Sequence, residues 1–216
     1  MSLTPTRPLP TSPEAPLPPA EDVRRAPGRG LVVLGVLGTT LLYALAVLTY
    51  PGQRVDNALM EAVGLWDRTW WPVPNPYLLL AGSGVLALLG LVRRWRTGLA
   101  VAASVSLLMI STQVLKAWLP RPHLADQWVI DNSFPSGHTG AAAALGVALL
   151  LVVPRSWIVP AAVLGSAATS YMGLVVTMHA YHRPSDVIAS ALLAVAALGV
   201  GLLVRGRGPS TAVRRT

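Results

Sequence analysis

Between Gly30 and Val204 the chain is a succession of apolar runs, each close to the length that a bilayer demands, separated by short polar breaks. A hydrocarbon core of ~30 Å takes roughly 20 apolar residues in a helix, the form that satisfies its own backbone hydrogen bonds where no water is present. Six runs fit: Gly30 to Tyr50, Pro76 to Val92, Gly98 to Leu119, Ser136 to Val153, Trp157 to Met178 and Pro184 to Val204. With 53% hydrophobic and 12% charged residues there is too little polar surface for an ordinary soluble domain. The expected fold is all-α, a polytopic bundle of six membrane spans.

The ends differ from this core. Residues 1–29 carry eight prolines among Ser, Thr, Glu and Arg, which bury too little apolar area to offset chain ordering. They are expected to form a disordered Pro-rich tail rather than a Pro-rich docking ligand, and they lack the apolar core of a signal peptide. Residues 30–205 form the membrane domain and 206–216 a short basic tail. After the first run, Val55, Ala58, Leu59, Ala62, Val63 and Trp66 follow the i, i+3, i+4, i+7 rhythm of an amphipathic helix. That helix is expected to start with Asp56 as a cap and to lie along the membrane surface. Trp66, Trp70, Trp71 and Tyr77 then form an interfacial aromatic belt.

Absence of cysteine removes disulfides, thiol catalysis and thiolate metal sites. The net charge of +8 is spread between apolar runs, not gathered on a soluble face with aromatic platforms, so nucleic acid is not the expected partner. Twelve of the seventeen basic residues fall on one side of the six-span layout, including Arg93, Arg94, Arg96, Arg155 and Arg205. The positive-inside rule makes that side cytoplasmic, with both termini. Of the five on the other side, Lys116, Arg121 and Arg183 belong to three polar islands, and cations placed there serve an anion better than they serve topology.

The islands are Lys116 to Pro122, Pro135-Ser136-Gly137-His138 and His182-Arg183-Pro184-Ser185-Asp186. Ser136 can cap the fourth span, leaving the Gly137 and His138 amides at a helix start, where free N–H groups and the dipole both favour an anion. His138 then sits where it can protonate a leaving oxygen. Pro184 suits the first turn of the sixth span. Asp186, four residues after His182, can orient one imidazole nitrogen and leave the other to attack.

Pro135-Ser136-Gly137-His138 and His182-x-x-x-Asp186, joined through two spans, resemble the type 2 phosphatidic acid phosphatase superfamily of lipid phosphate phosphatases. The resemblance extends over about residues 30–205. It implies His182 as nucleophile through a phosphohistidine, Asp186 as its orienting partner and His138 as general acid. Lys116, Arg121, Ser136, Gly137 and the His138 amide would hold phosphate oxygens, with no metal or other cofactor. The substrate would be a lipid phosphate lying in the bilayer. Candidates are a polyprenyl diphosphate such as undecaprenyl diphosphate in cell-envelope synthesis, a polyprenyl-phosphosugar phosphate, phosphatidylglycerol phosphate or phosphatidic acid. The site would face outward from the cytoplasmic membrane.

Two departures stand out. The family's first motif has its Arg seven residues after the Lys; here that position is His123, and Arg-Pro comes two residues early as Arg121-Pro122. The third motif begins Ser-Arg, where this chain has Val175-Val176. Charge spread over three phosphoryl oxygens makes a lost arginine matter. Arg183, beside the nucleophile, is the expected substitute, with His179 or His123 nearby. Two other readings stay open: a metal-dependent hydrolase using His179, His182 and Asp186, and a binding or carrier protein that keeps the anion site without the chemistry.

Overall fold

The structure, a computed structural model, describes residues 20–64, 71–125 and 132–206, with backbone alone for 20–26 and 64. Within these residues every regular element is helical: α1 (Ala20–Leu42), continued by a π-helical turn (Tyr43–Val47), α2 (Tyr50–Gly64), α3 (Pro76–Arg93), α4 (Trp95–Trp118), α5 (Gly137–Val152), α6 (Ile158–Met178) and α7 (Pro184–Arg205). A 3-10 turn, Arg155–Trp157, leads into α6. The all-α class expected from the apolar runs is what the described residues form.

Five segments are long and apolar enough to cross a membrane: Pro27–Val47, Pro76–Arg93, Trp95–Trp118, Arg155–Met178 and Pro184–Arg205. The run at Gly137–Val152 is apolar but has only 16 residues, about 24 Å of helix at 1.5 Å per residue. Six equal spans therefore become five long helices and a shorter one. That shorter helix is the most enclosed: Ala141, Ala142, Ala144, Ala148 and Leu151 are all buried.

Helix α7 packs along α1, α4 and α5; α5 also packs on α3, α4 and α6, while α6 barely touches α7. Small residues make this closeness possible, as helices in lipid associate by van der Waals contact and not by hydrophobic drive. A Cβ on Gly35 of α1 would lie 2.5 Å from the Leu192 carbonyl of α7, and one on Gly146 of α5 would lie 3.1 Å from the Gly165 Cα of α6. The buried Ser104 hydroxyl lies 2.8 Å from both the Ala100 carbonyl of its own helix and the Ala197 carbonyl of α7. Large apolar residues such as Leu37, Leu88 and Leu164 face outward.

Two boundaries differ from expectation. Helix α1 starts at Ala20, ahead of the first apolar run at Gly30; it accommodates Pro27, and Gly28 seats against Gly199 and Leu203 of α7. Helix α2 starts at Tyr50, with the Thr49 hydroxyl accepting from the Gly52 N–H in the manner of a cap. Asp56 is thus inside the helix and does not cap it. In α2, Val55, Ala58, Leu59 and Ala62 are exposed, while Gln53, Asp56 and Asn57 are buried with Met60. Trp66 and Trp70 of the aromatic belt, and the tails 1–19 and 207–216, lie outside the described residues.

Candidate active site

The chain brings the three islands to one end of the bundle by tying the starts of α5 and α7 to the end of α4. Asn132 donates to the carbonyls of Lys116 (2.9 Å) and Leu119 (2.6 Å), the last residues of α4 and its cap. The Ser136 N–H donates to the Asp186 carbonyl at 3.0 Å, and the Ser190 hydroxyl donates to the Ser136 carbonyl at 2.7 Å. Ser136 caps α5 as expected, its Oγ accepting from the Thr139 N–H at 3.2 Å. At the start of α7, Arg183 is the N-cap, Pro184 follows, and the Asp186 carboxylate accepts from the Arg183 N–H at 3.0 Å.

The turn between α6 and α7 delivers the second histidine. Tyr181 N–H donates to the Val176 carbonyl and Ala180 N–H to the Thr177 carbonyl, both at 2.9 Å, with Ala180 left-handed at φ 55°. This is a Schellman closure with alanine where glycine is usual. His182 follows at once, its N–H also directed at Val176. The His138 and His182 ring centroids lie 5.9 Å apart in an edge-on arrangement. At this separation the two rings adjoin each other, so nitrogens of both can face one small group lying beside the pair.

His182 is oriented differently from expectation. Its Nδ1 lies 3.2 Å from the Ser133 carbonyl and 3.7 Å from Asp186 Oδ2. A carbonyl only accepts, so Nδ1 carries the proton and Nε2 the lone pair. Asp186 contributes its charge at ion-pair distance and not through a direct hydrogen bond, because its oxygens are engaged elsewhere. They accept from Arg121 at 3.0 Å, from the Ser133 hydroxyl and from the Arg183 amide.

Arg121 is locked between two carboxylates. Besides Asp186, its guanidinium lies 3.7 Å from Asp56 of α2 and 3.4 Å from the Ser185 hydroxyl, and its side chain is 1% exposed. Asp56 also accepts from the Ser185 N–H at 3.0 Å and from the Ser185 hydroxyl. Burial pushes the Asp56 carboxyl above its usual range, outweighing the downward pull of Ser185 and Arg121. Lys116 and His138 are half-buried at the same end, and Arg183 is buried beside His182. His123 is exposed, and Val175 and Val176 are fully buried apolar residues.

Asp56, expected only as a helix cap, and Ser133 and Ser185 were given no part in the site from sequence. The polar stripe Gln53, Asp56, Asn57 on one face of α2 was the available signal. His179 turns its Nε2 to the Trp71 carbonyl at 3.1 Å. Among the described residues no three His, Cys, Asp or Glu side chains form a metal-binding group.

Residues 97–208, more than half of the chain, match the family model of the PAP2 superfamily. The chain belongs to the PAP2 superfamily. In this PAP2 protein the matched stretch covers α4 to α7 and all three islands, while Asp56 and its helix precede it. No curated protein matches the chain, and no solved structure does.

Proposed function

We propose that the chain is a metal-independent lipid phosphate phosphatase working through a phosphohistidine at the outer face of the cytoplasmic membrane, with both termini inside and α5 as a sixth, short crossing. The observation that carries this reading is the 5.9 Å approach of His138 and His182, which come from different helices. His182 Nε2 attacks phosphorus as the bond to the leaving oxygen breaks, and protonated His138 gives that oxygen its proton. Asp186 and the Ser133 carbonyl stabilise the cationic ring that results. Water, deprotonated by the now neutral His138, then attacks phosphorus; the P–N bond breaks and inorganic phosphate departs.

Lys116, Arg183 and the Ser136-Gly137-His138 helix start hold the phosphoryl oxygens in this scheme. Arg121 acts on them through the frame it builds with Asp56 and Asp186. A polyprenyl (di)phosphate or glycerophospholipid phosphate suits a site at the end of a bundle whose flanks are apolar. Phosphate release by purified protein in detergent from a panel of such lipids tests the proposal, with His138→Ala and His182→Ala alongside. His182→Ala should be inactive and form no acid-labile phosphoenzyme; turnover surviving in it would exclude the mechanism. One observation favours a second reading, a lipid-phosphate binder without turnover: Arg121 is committed to two carboxylates. Lipid-phosphate binding by an inert wild-type protein would establish it.

A further inference from the structure

Aromatic rings lead from buried His182 and half-buried His138 toward the outside of the bundle. His182 is 5% exposed; His138 is in ring contact with it and with Tyr181, whose centroid is 6.3 Å away and which is 51% exposed. Tyr181 in turn lies 5.6 Å from His179, whose Nε2 meets the Trp71 carbonyl at 3.1 Å. Trp71 is itself 36% exposed. Tyr181 therefore fills no core, yet it is held firmly. The Schellman closure fixes its backbone, and Ala180 sits at φ 55° to allow it. An L-residue there costs roughly 1–2 kcal/mol, and retained strain of this kind gathers at functional sites.

We propose that the Tyr181 ring is the leaving-group subsite of this enzyme: it receives the first carbons of an apolar lipid alcohol as they pass His138. This rests on the phosphatase reading above. His138 protonates the departing oxygen, so the carbons bonded to that oxygen lie beside His138. The exposed ring touching His138 is the surface they meet. A ring with one polar edge suits this place, since hydrocarbon lies along its face while the hydroxyl stays at the wet margin.

The subsite acts on one half of the reaction. The alcohol has left before water attacks the phosphohistidine, so Tyr181 affects formation of the phosphoenzyme and not its hydrolysis. The test compares kcat/KM for farnesyl phosphate and for glycerol 3-phosphate in detergent, using wild type, Tyr181→Ala and Tyr181→Phe. Tyr181→Ala should lower the farnesyl-to-glycerol ratio about tenfold, the low end for loss of an apolar contact in a pocket. Tyr181→Phe should keep that ratio, and the single-turnover decay of the phosphoenzyme should be the same in all three. Equal loss on both esters, or an unaltered ratio in Tyr181→Ala, overturns the subsite alone. A wild type inert toward both esters sinks the phosphatase reading and the subsite with it.

Discussion

Asp56 and Ala180 show how much depends on single positions. Burial raises the Asp56 carboxyl, so the folded chain holds that proton more tightly than the unfolded one. The stability attached to this group is then fully present below its unfolded value and lost as pH rises through the raised folded value. Asp56→Asn retains an acceptor for the Ser185 amide and should flatten this decline, seen as a shallower fall in Tm in detergent as pH rises above the free carboxyl's 3.8. A steeper fall would contradict the assignment. Ala180→Gly removes a left-handed penalty of about 1–2 kcal/mol while adding unfolded-state freedom worth about 0.4–1 kcal/mol. The variant should be more stable by up to about 1.6 kcal/mol, measured by denaturant unfolding; a less stable protein would mean that position 180 is unstrained.

Among the elements, α2 and the α1–α7 pair carry the lesson about reading such a chain. The rhythm of Val55, Ala58, Leu59 and Ala62 was legible and the helix is there, but periodicity defines a face without saying which way it turns. What the pattern did not give was the work of the opposite face, where the polar stripe with Asp56 closes on the start of α7. The islands were legible for a simpler reason: a charge inside an apolar run is costly unless it has work to do. What sequence spacing could not give was the partner of each group. The i, i+4 relation of His182 and Asp186 suggested a direct hydrogen bond, yet Ser133, from another segment, takes that place. The α1–α7 contact offers its own check. Gly35→Ala would drive a Cβ to 2.5 Å from the Leu192 carbonyl, and overpacking against backbone costs about 1–3 kcal/mol. A lower Tm for Gly35→Ala, with Gly84→Ala as a control whose Cβ meets nothing within 4 Å, is the expected result.

For the molecule as a whole, one group of arginines and the site occupy opposite ends. Arg93 and Arg94 adjoin Val152, and Arg205 donates to the Leu151 carbonyl, so these arginines gather at the end of the bundle away from the histidines. A chain without cysteine allows a clean test of which end faces out. A membrane-impermeant maleimide added to intact cells should label His123→Cys, at the histidine end, and should reach Ser156→Cys only after lysis; the reverse pattern would invert the topology. The brevity of α5 has one more consequence. On the topology proposed above, an α5 of 16 residues falls several ångströms short of a ~30 Å hydrocarbon layer, which would leave its capped start, and His138 with it, in a dimple beneath the headgroup plane. The proposed lipid phosphate would then either dip its phosphate into that hollow or meet a bilayer already pinched there. Vesicles of shorter-chain lipid should therefore speed turnover, hydrophobic mismatch acting as a throttle on the chemistry.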